Sequence, residues 1–237
     1  MKLTQQIEKE YASITPERIA EIKTYSVPKE MPHALDIFLN NFCPKNSTFN
    51  NQTANFEYEI SLAMIQVLSF NYTSENITSF SLALSSFEEH RYFYRTGIFL
   101  SALINVHQEK TKATQPYVLF TNYLNKKIAH LCMNNKSIIQ IIGDCGISCG
   151  FQMESGTIIV EGSTESRVGE HMCNGEIHVK KNTAEIRGQN HFYGGKIIVY
   201  GDKPIVDIWG FIRMGIGSAG EIYHKDTKIY PEEKVQE

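Results

Sequence analysis

Hydrophobic positions in this chain follow two different periods. Through the first half they recur every three to four residues, the spacing of one helical face. Leu3, Ile7, Tyr11 and Ile14 share such a face, Leu35, Phe38, Leu39 and Phe42 share another, and Phe56, Ile60, Ala63, Met64, Val67 and Leu68 form the clearest amphipathic helix. Thr15, Pro16 and Glu17 read as a helix start, with Thr at the N-cap and Pro at the first helical position, and that helix ends near Pro28. Residues 45–53 are polar without a period and read as a loop. Phe80, Leu84, Phe87 and Tyr94 fit a further helix, although the stretch from Phe80 to Leu84 alternates as a strand would. Thr96 is placed to N-cap a helix carrying Ile98, Phe99, Ala102, Leu103 and Val106.

From Tyr117 the pattern changes to short β-branched runs, and from Cys132 to about His224 a phrase repeats. Gly150, Met153, Gly156, Ile158 and Val160 return displaced by nineteen positions as Gly169, Met172, Gly175, Ile177 and Val179. Gly188, Phe192, Gly195, Ile197 and Val199 form a third copy with one residue inserted, and weaker copies run from Met133 to Gly143 and from Met214 to His224. A fixed period of this length marks a stacked array in which no repeat buries its apolar face alone. Alternation within each run, such as Ile177 and Val179 against Glu176, His178 and Lys180, makes the unit a strand. Glycines at Gly143, Gly146, Gly150, Gly156, Gly162, Gly169, Gly175, Gly188, Gly195 and Gly201 punctuate the turns.

The pattern predicts a parallel β-helix of about five rungs spaced ~4.8 Å apart. Ile158, Ile177 and Ile197 would form one inward column, Val160, Val179 and Val199 a second, and Met153, Met172 and Phe192 a third. Such a coil leaves unpaired backbone only at its ends, so the helical half is expected to cover the open N-terminal end. The fold class is therefore α+β: a helical cap over 1–115, a parallel β-helix over 116–230, and a tail over 231–237.

The phrase Gly-Asp-x-Gly-x-x-x-Gly-x-x-Met-x-x-Gly-x-Ile-x-Val, starting at Gly143, resembles the GXGXG right-handed β-helix domain found in the glutamate synthase large subunit and in one of the subunits of formylmethanofuran dehydrogenase. The resemblance covers about residues 117–224. It implies a structural spacer that holds catalytic domains or subunits together without supplying catalytic residues. Three positions depart from it: Lys181 replaces a glycine, Arg187 takes the place of the small residues Cys149 and Val168, and Tyr193 replaces a small turn residue. The family's partner domains do not fit in what remains of the chain.

Composition narrows the function classes. At 237 residues the chain can bury roughly 70% of its unfolded surface. A net charge of −3 with 21% charged residues lacks the basic surplus of a nucleic-acid binder. Neither a signal peptide nor a run of eighteen apolar residues is seen, so no membrane is expected as a partner. Five cysteines at irregular spacing read as reduced thiols in the cytoplasm, and the sequons at Asn46, Asn51, Asn71 and Asn76 read as chance.

Candidate chemistry is sparse. His171 and His191 occupy equivalent positions on adjacent rungs, with Gln152 and Cys132 assigned to the same column below, facing outward. Two imidazoles ~5 Å apart can share zinc, but zinc takes three or four protein ligands and Gln152 interrupts the column. Asn190 and Glu170 lie near it uncommitted. Cys145 and Cys149 face inward beneath Thr164 and Val168 and read as buried thiols, while Cys173 reads as exposed near His171 without a third catalytic group. Gly143, Gly146 and Gly150 lack the Gly-Lys-Ser/Thr and following helix of a phosphate loop. Trp209 and residues 210–217 read as closing the last rung, and Arg187, if inward, needs Glu165 or Glu185. The sequence assigns no catalytic, cofactor or metal residue. It points to a non-catalytic structural or interaction module whose partner is another protein or a second copy. The alternatives are an accessory oxidoreductase subunit, as in formylmethanofuran dehydrogenase, or a small metal-dependent hydrolase built on His171 and His191.

Overall fold

The structure is a computed structural model that describes residues 27–43, 51–84, 92–124, 126–187, 193–207 and 220–231. Outside these fall the helices expected over 3–28 except for Val27 and Pro28, most of the loop at 45–53, Phe87, the side chains of Tyr94 and Arg187, Gly188, Asn190, His191, Phe192, Trp209 and the 210–217 segment.

Among the described residues four helices precede the sheet: α1 (Glu30–Asn41), α2 (Asn51–Leu68), α3 (Ser74–Ala83) and α4 (Tyr92–Thr111). On α1, Leu35, Phe38 and Leu39 are buried. The stretch from Phe80 to Leu84 is helical, because Thr73 and Asn76 form a capping box that starts α3. Thr96 is no N-cap: α4 begins at Tyr92, and Thr96 sits inside it, buried.

The clearest amphipathic pattern points to the wrong face of α2. The residues it buries are Ala54, Glu57, Tyr58, Ser61 and Ile65, while Phe56, Ala63 and Val67 are exposed and Ile60 and Met64 half-buried. Two polar residues are accommodated inside by pairing. Glu57 Oε1 accepts from Arg95 Nε at 2.8 Å, and Ser61 Oγ donates to the Glu57 carbonyl at 2.9 Å. Burial outweighs Arg95 and raises the Glu57 carboxyl, and burial together with Glu57 pushes the Cys43 thiol up to about 12.

Nine strands follow among the described residues: β1 (Tyr117–Phe120), β2 (Ile138–Ile142), β3 (Thr157–Val160), β4 (Glu176–Val179), β5 (Glu185–Arg187), β6 (Lys196–Val199), β7 (Ile205–Asp207), β8 (Glu221–His224) and β9 (Thr227–Tyr230). One sheet has the order β1-β2-β3-β4-β6-β8-β9, parallel throughout except for β8 and β9; β5 and β7 pair in parallel on a second face. This is a parallel β-solenoid of about 4 turns. The expected columns are in register. Ile139, Ile158, Ile177, Ile197 and Ile222 stack as one, and Ile141, Val160, Val179 and Val199 as the next, all at most 1% exposed. Met153 and Met172 are fully buried. A Cβ at Gly175 would stand 2.6 Å from Met153 Cε, so each coil's methionine tip occupies the space that the next coil's glycine leaves open.

The helical region packs across the first coil, and a single apolar core runs from Met31 to Ile222. Edge groups that no further strand pairs are taken up by helix side chains. Phe120 N donates to Ser81 Oγ at 2.9 Å, and Met133 N to Ser101 Oγ at 3.0 Å. Asn105 Nδ2 donates to the Met133 carbonyl at 3.0 Å. These bonds perform the covering that an open sheet edge requires. Close approach is possible because α4 carries Gly97 where it crosses Ala129: a Cβ there would overlap the Ala129 carbonyl oxygen.

Candidate functional site

At the corners of the coil, non-glycine residues with positive φ recur in columns. His130, Ser148 and Arg167 have φ of 53°, 58° and 64°; Cys132 at 65° stands with Gly150 and Gly169; Asn134, Gln152 and His171 have 52°, 54° and 59°. Hydrogen bonds fix the stacking: His130 N donates to Ile147 O at 2.8 Å, Asn134 N to Phe151 O at 2.9 Å, and Gln152 N to Glu170 O at 2.8 Å.

This register corrects the place of Cys132. Asn134 and Gln152 lie eighteen positions apart whereas Gln152 and His171 lie nineteen apart, so the first corner is one residue short. Asn134, not Cys132, therefore stands below Gln152 and His171. Cys132 turns inward at 1% exposure. There it meets Cys145 and Cys149, both fully buried, and the Cys145 thiol donates to the Ile128 carbonyl at 3.9 Å. Burial holds the Cys132 and Cys145 thiols well above their ordinary range. Among the described residues no group of three or more His, Cys, Asp or Glu side chains has a geometry that could hold a metal.

His171 belongs to an aromatic ladder. The rings of His130 and Phe151 meet edge-on at 5.7 Å, those of Phe151 and His171 at 5.4 Å, and His171 lies 6.3 Å from Tyr193 at 30°. His191 lies outside the described residues. Cys173 is exposed, and its thiol approaches the His171 carbonyl at 3.6 Å rather than the imidazole. Gly143, Gly150, Gly156, Gly169, Gly175 and Gly195 adopt positive φ, while Gly146, Gly162 and Gly201 press against backbone of a neighbouring coil.

The Asn134, Gln152 and His171 column forms the floor of a groove of about 980 Å³. One wall is α2, through Asn55, Tyr58, Leu62 and Gln66, and the other is the end of α4, through Asn105 and Gln108, with Lys112 just beyond it. Asn105 ties the walls to the floor, since its Nδ2 reaches the Tyr58 hydroxyl at 2.6 Å as well as the Met133 carbonyl. Periodicity hid this groove: its α2 face is mixed in polarity, and Asn134 becomes visible only once the short first corner is counted.

Compared with protein-family models, curated proteins and solved structures, the chain matches none. No helix among the described residues is long and apolar enough to cross a membrane.

Proposed function

We propose that this chain is a non-catalytic interaction scaffold that docks through the outer face of α2, with a second copy of itself as the partner the face fits best. The observation that carries this reading is a seam of Phe56, Ile60, Ala63 and Val67, in which Phe56 is 64% and Val67 82% exposed, Ala63 is exposed and Ile60 is half-buried. Its four-three-four spacing is that of a coiled-coil seam. Antiparallel pairing about a two-fold axis sets Phe56 against Val67 and Ile60 against Ala63, large against small in both cases. An 18-residue helix is ~27 Å long, so the interface is small and the dimer weak.

Two further features support the scaffold reading. The repeated phrase resembles the GXGXG domain, a spacer in its relatives, and the His171 ring is packed between those of Phe151 and Tyr193. All five cysteines are free thiols, which fits a cytoplasmic setting.

Light scattering tests the reading. The mass of the wild type should rise from 27.0 kDa toward twice that value as concentration increases to ~1 mM, while Val67→Glu stays at the monomer mass with unchanged thermal unfolding. A wild type that stays monomeric throughout, or a Val67→Glu variant that still pairs, would overturn it.

A further inference from the structure

We infer that the groove between α2, α4 and the stacked corner is a binding site for a neutral oligosaccharide. This site is separate from the outer seam of α2 and does not depend on it.

Its chemistry selects the ligand. The floor and walls present amides, among them Gln66, Asn134 and Gln152, which offer donors and acceptors in one plane. Sugar hydroxyls, each both donor and acceptor, pair with such groups. At the end of the floor Tyr193 is 45% exposed, with its ring against His171. An exposed ring of this kind packs against the apolar C–H face of a pyranose. Charge argues against anions: Lys112 and Lys136 face Glu59, Glu109 and Glu154 in the lining, and Lys136 is already paired with Glu154 at 2.8 Å. A phosphate or sulfate would meet a surplus of carboxylate.

Spacing separates a saccharide from a peptide. Asn134, Gln152 and His171 repeat at the rung distance of ~4.8 Å, close to the length of one hexose unit in an extended chain. Side chains on one face of an extended peptide repeat at ~6.6 Å, so they fall out of step with the floor at the first rung. A glycan running along the coil axis places successive rings over Asn134, Gln152 and His171 and reaches Tyr193 at its end.

The test uses the full chain and ligand-observed NMR with four neutral probes, the hexasaccharides of cellulose, starch, xylan and chitin, beside a sulfated oligosaccharide. At least one neutral probe should bind with Kd of ~1 mM or tighter, weakened about tenfold or more in Tyr193→Ala and in Gln152→Gly. Gln152→Gly removes the amide while keeping the positive φ of that corner. Tyr123→Ala, which removes an equally exposed tyrosine outside the groove, should bind as the wild type does. Thermal unfolding of each variant separates lost binding from lost fold. The inference is overturned if no neutral probe binds, if the sulfated probe binds more tightly, or if folded Tyr193→Ala and Gln152→Gly both bind unchanged.

Discussion

Gly97→Val is expected to lift α4 off the first coil and to cost about 3 kcal/mol or more. A glycine inside a helix costs about 1 kcal/mol relative to alanine, so propensity alone would make valine an improvement. Tertiary contact reverses the sign. Even a Cβ at Gly97 would overlap the Ala129 carbonyl oxygen and stand 2.9 Å from Ile128 Cγ2, and neither can move without disturbing the first corner. Displacing α4 also withdraws Ser101 and Asn105 from Met133. The freed edge then invites pairing between molecules. Urea unfolding should show the loss of stability, and light scattering should show aggregates that grow as the variant is warmed. A Gly97→Val protein as stable and as monodisperse as the wild type would contradict the described seating of α4.

Acid is expected to weaken the fold through His130. Burial, assisted by Arg167 in the same column, lowers the His130 pKa from 6.5 to about 4. In that window the unfolded chain binds a proton that the folded chain refuses, so stability rises with pH. The contribution is intact above the unfolded pKa and is lost as pH falls from about 6.5 to about 4, a change of up to about 3 kcal/mol. His130 is 3% exposed, so little screening is expected. Asparagine tolerates the φ of 53° at this position and does not titrate, so His130→Asn should flatten the dependence. Urea titrations at about pH 7, 5.5 and 4.5 measure the two slopes. Equal slopes in wild type and variant would assign the acid response elsewhere.

The coil was legible in the sequence because its signal is repeated. A nineteen-residue displacement carrying glycine, methionine and two β-branched positions in order sets both strand and register, and Ile158 and Val160 pair where that displacement puts them. The helical cap was legible as helices but not as faces. On α2 the chain buries Glu57 and Ser61 and exposes Phe56 and Val67, an inversion that depends on Arg95, which lies 38 positions away. Hydropathy sees neighbours at three and four residues and cannot register such a partner.

The candidate site was partly legible. His171 could be singled out from its column, but its neighbours could not be assigned, because the corner spacing is eighteen in the first coil, whereas the spacing of twenty between His171 and His191 sets Cys132 there in place of Asn134. Counting back twenty positions from Gln152, the spacing of His171 and His191, places the Cys132 thiol in the groove. Counting from the strand pair Ile139 and Ile158 through the short corner places an amide there and sends the thiol inside. The walls of the groove were not legible at all, since α2 and α4 reach it only by packing on the first coil.

Amide hydrogen exchange at the first coil is the most direct measurement of whether the helical region closes the solenoid. Phe120 and Met133 donate not to another strand but to the Ser81 and Ser101 hydroxyls, both buried. If the cap is seated as described, these two amides will exchange as slowly as that of Thr157, which bonds to the Ser137 carbonyl within the coil. Exchange of Phe120 and Met133 at the rate of an exposed edge strand, with Thr157 still protected, would mean that the coil stands open and that the helices do not close it.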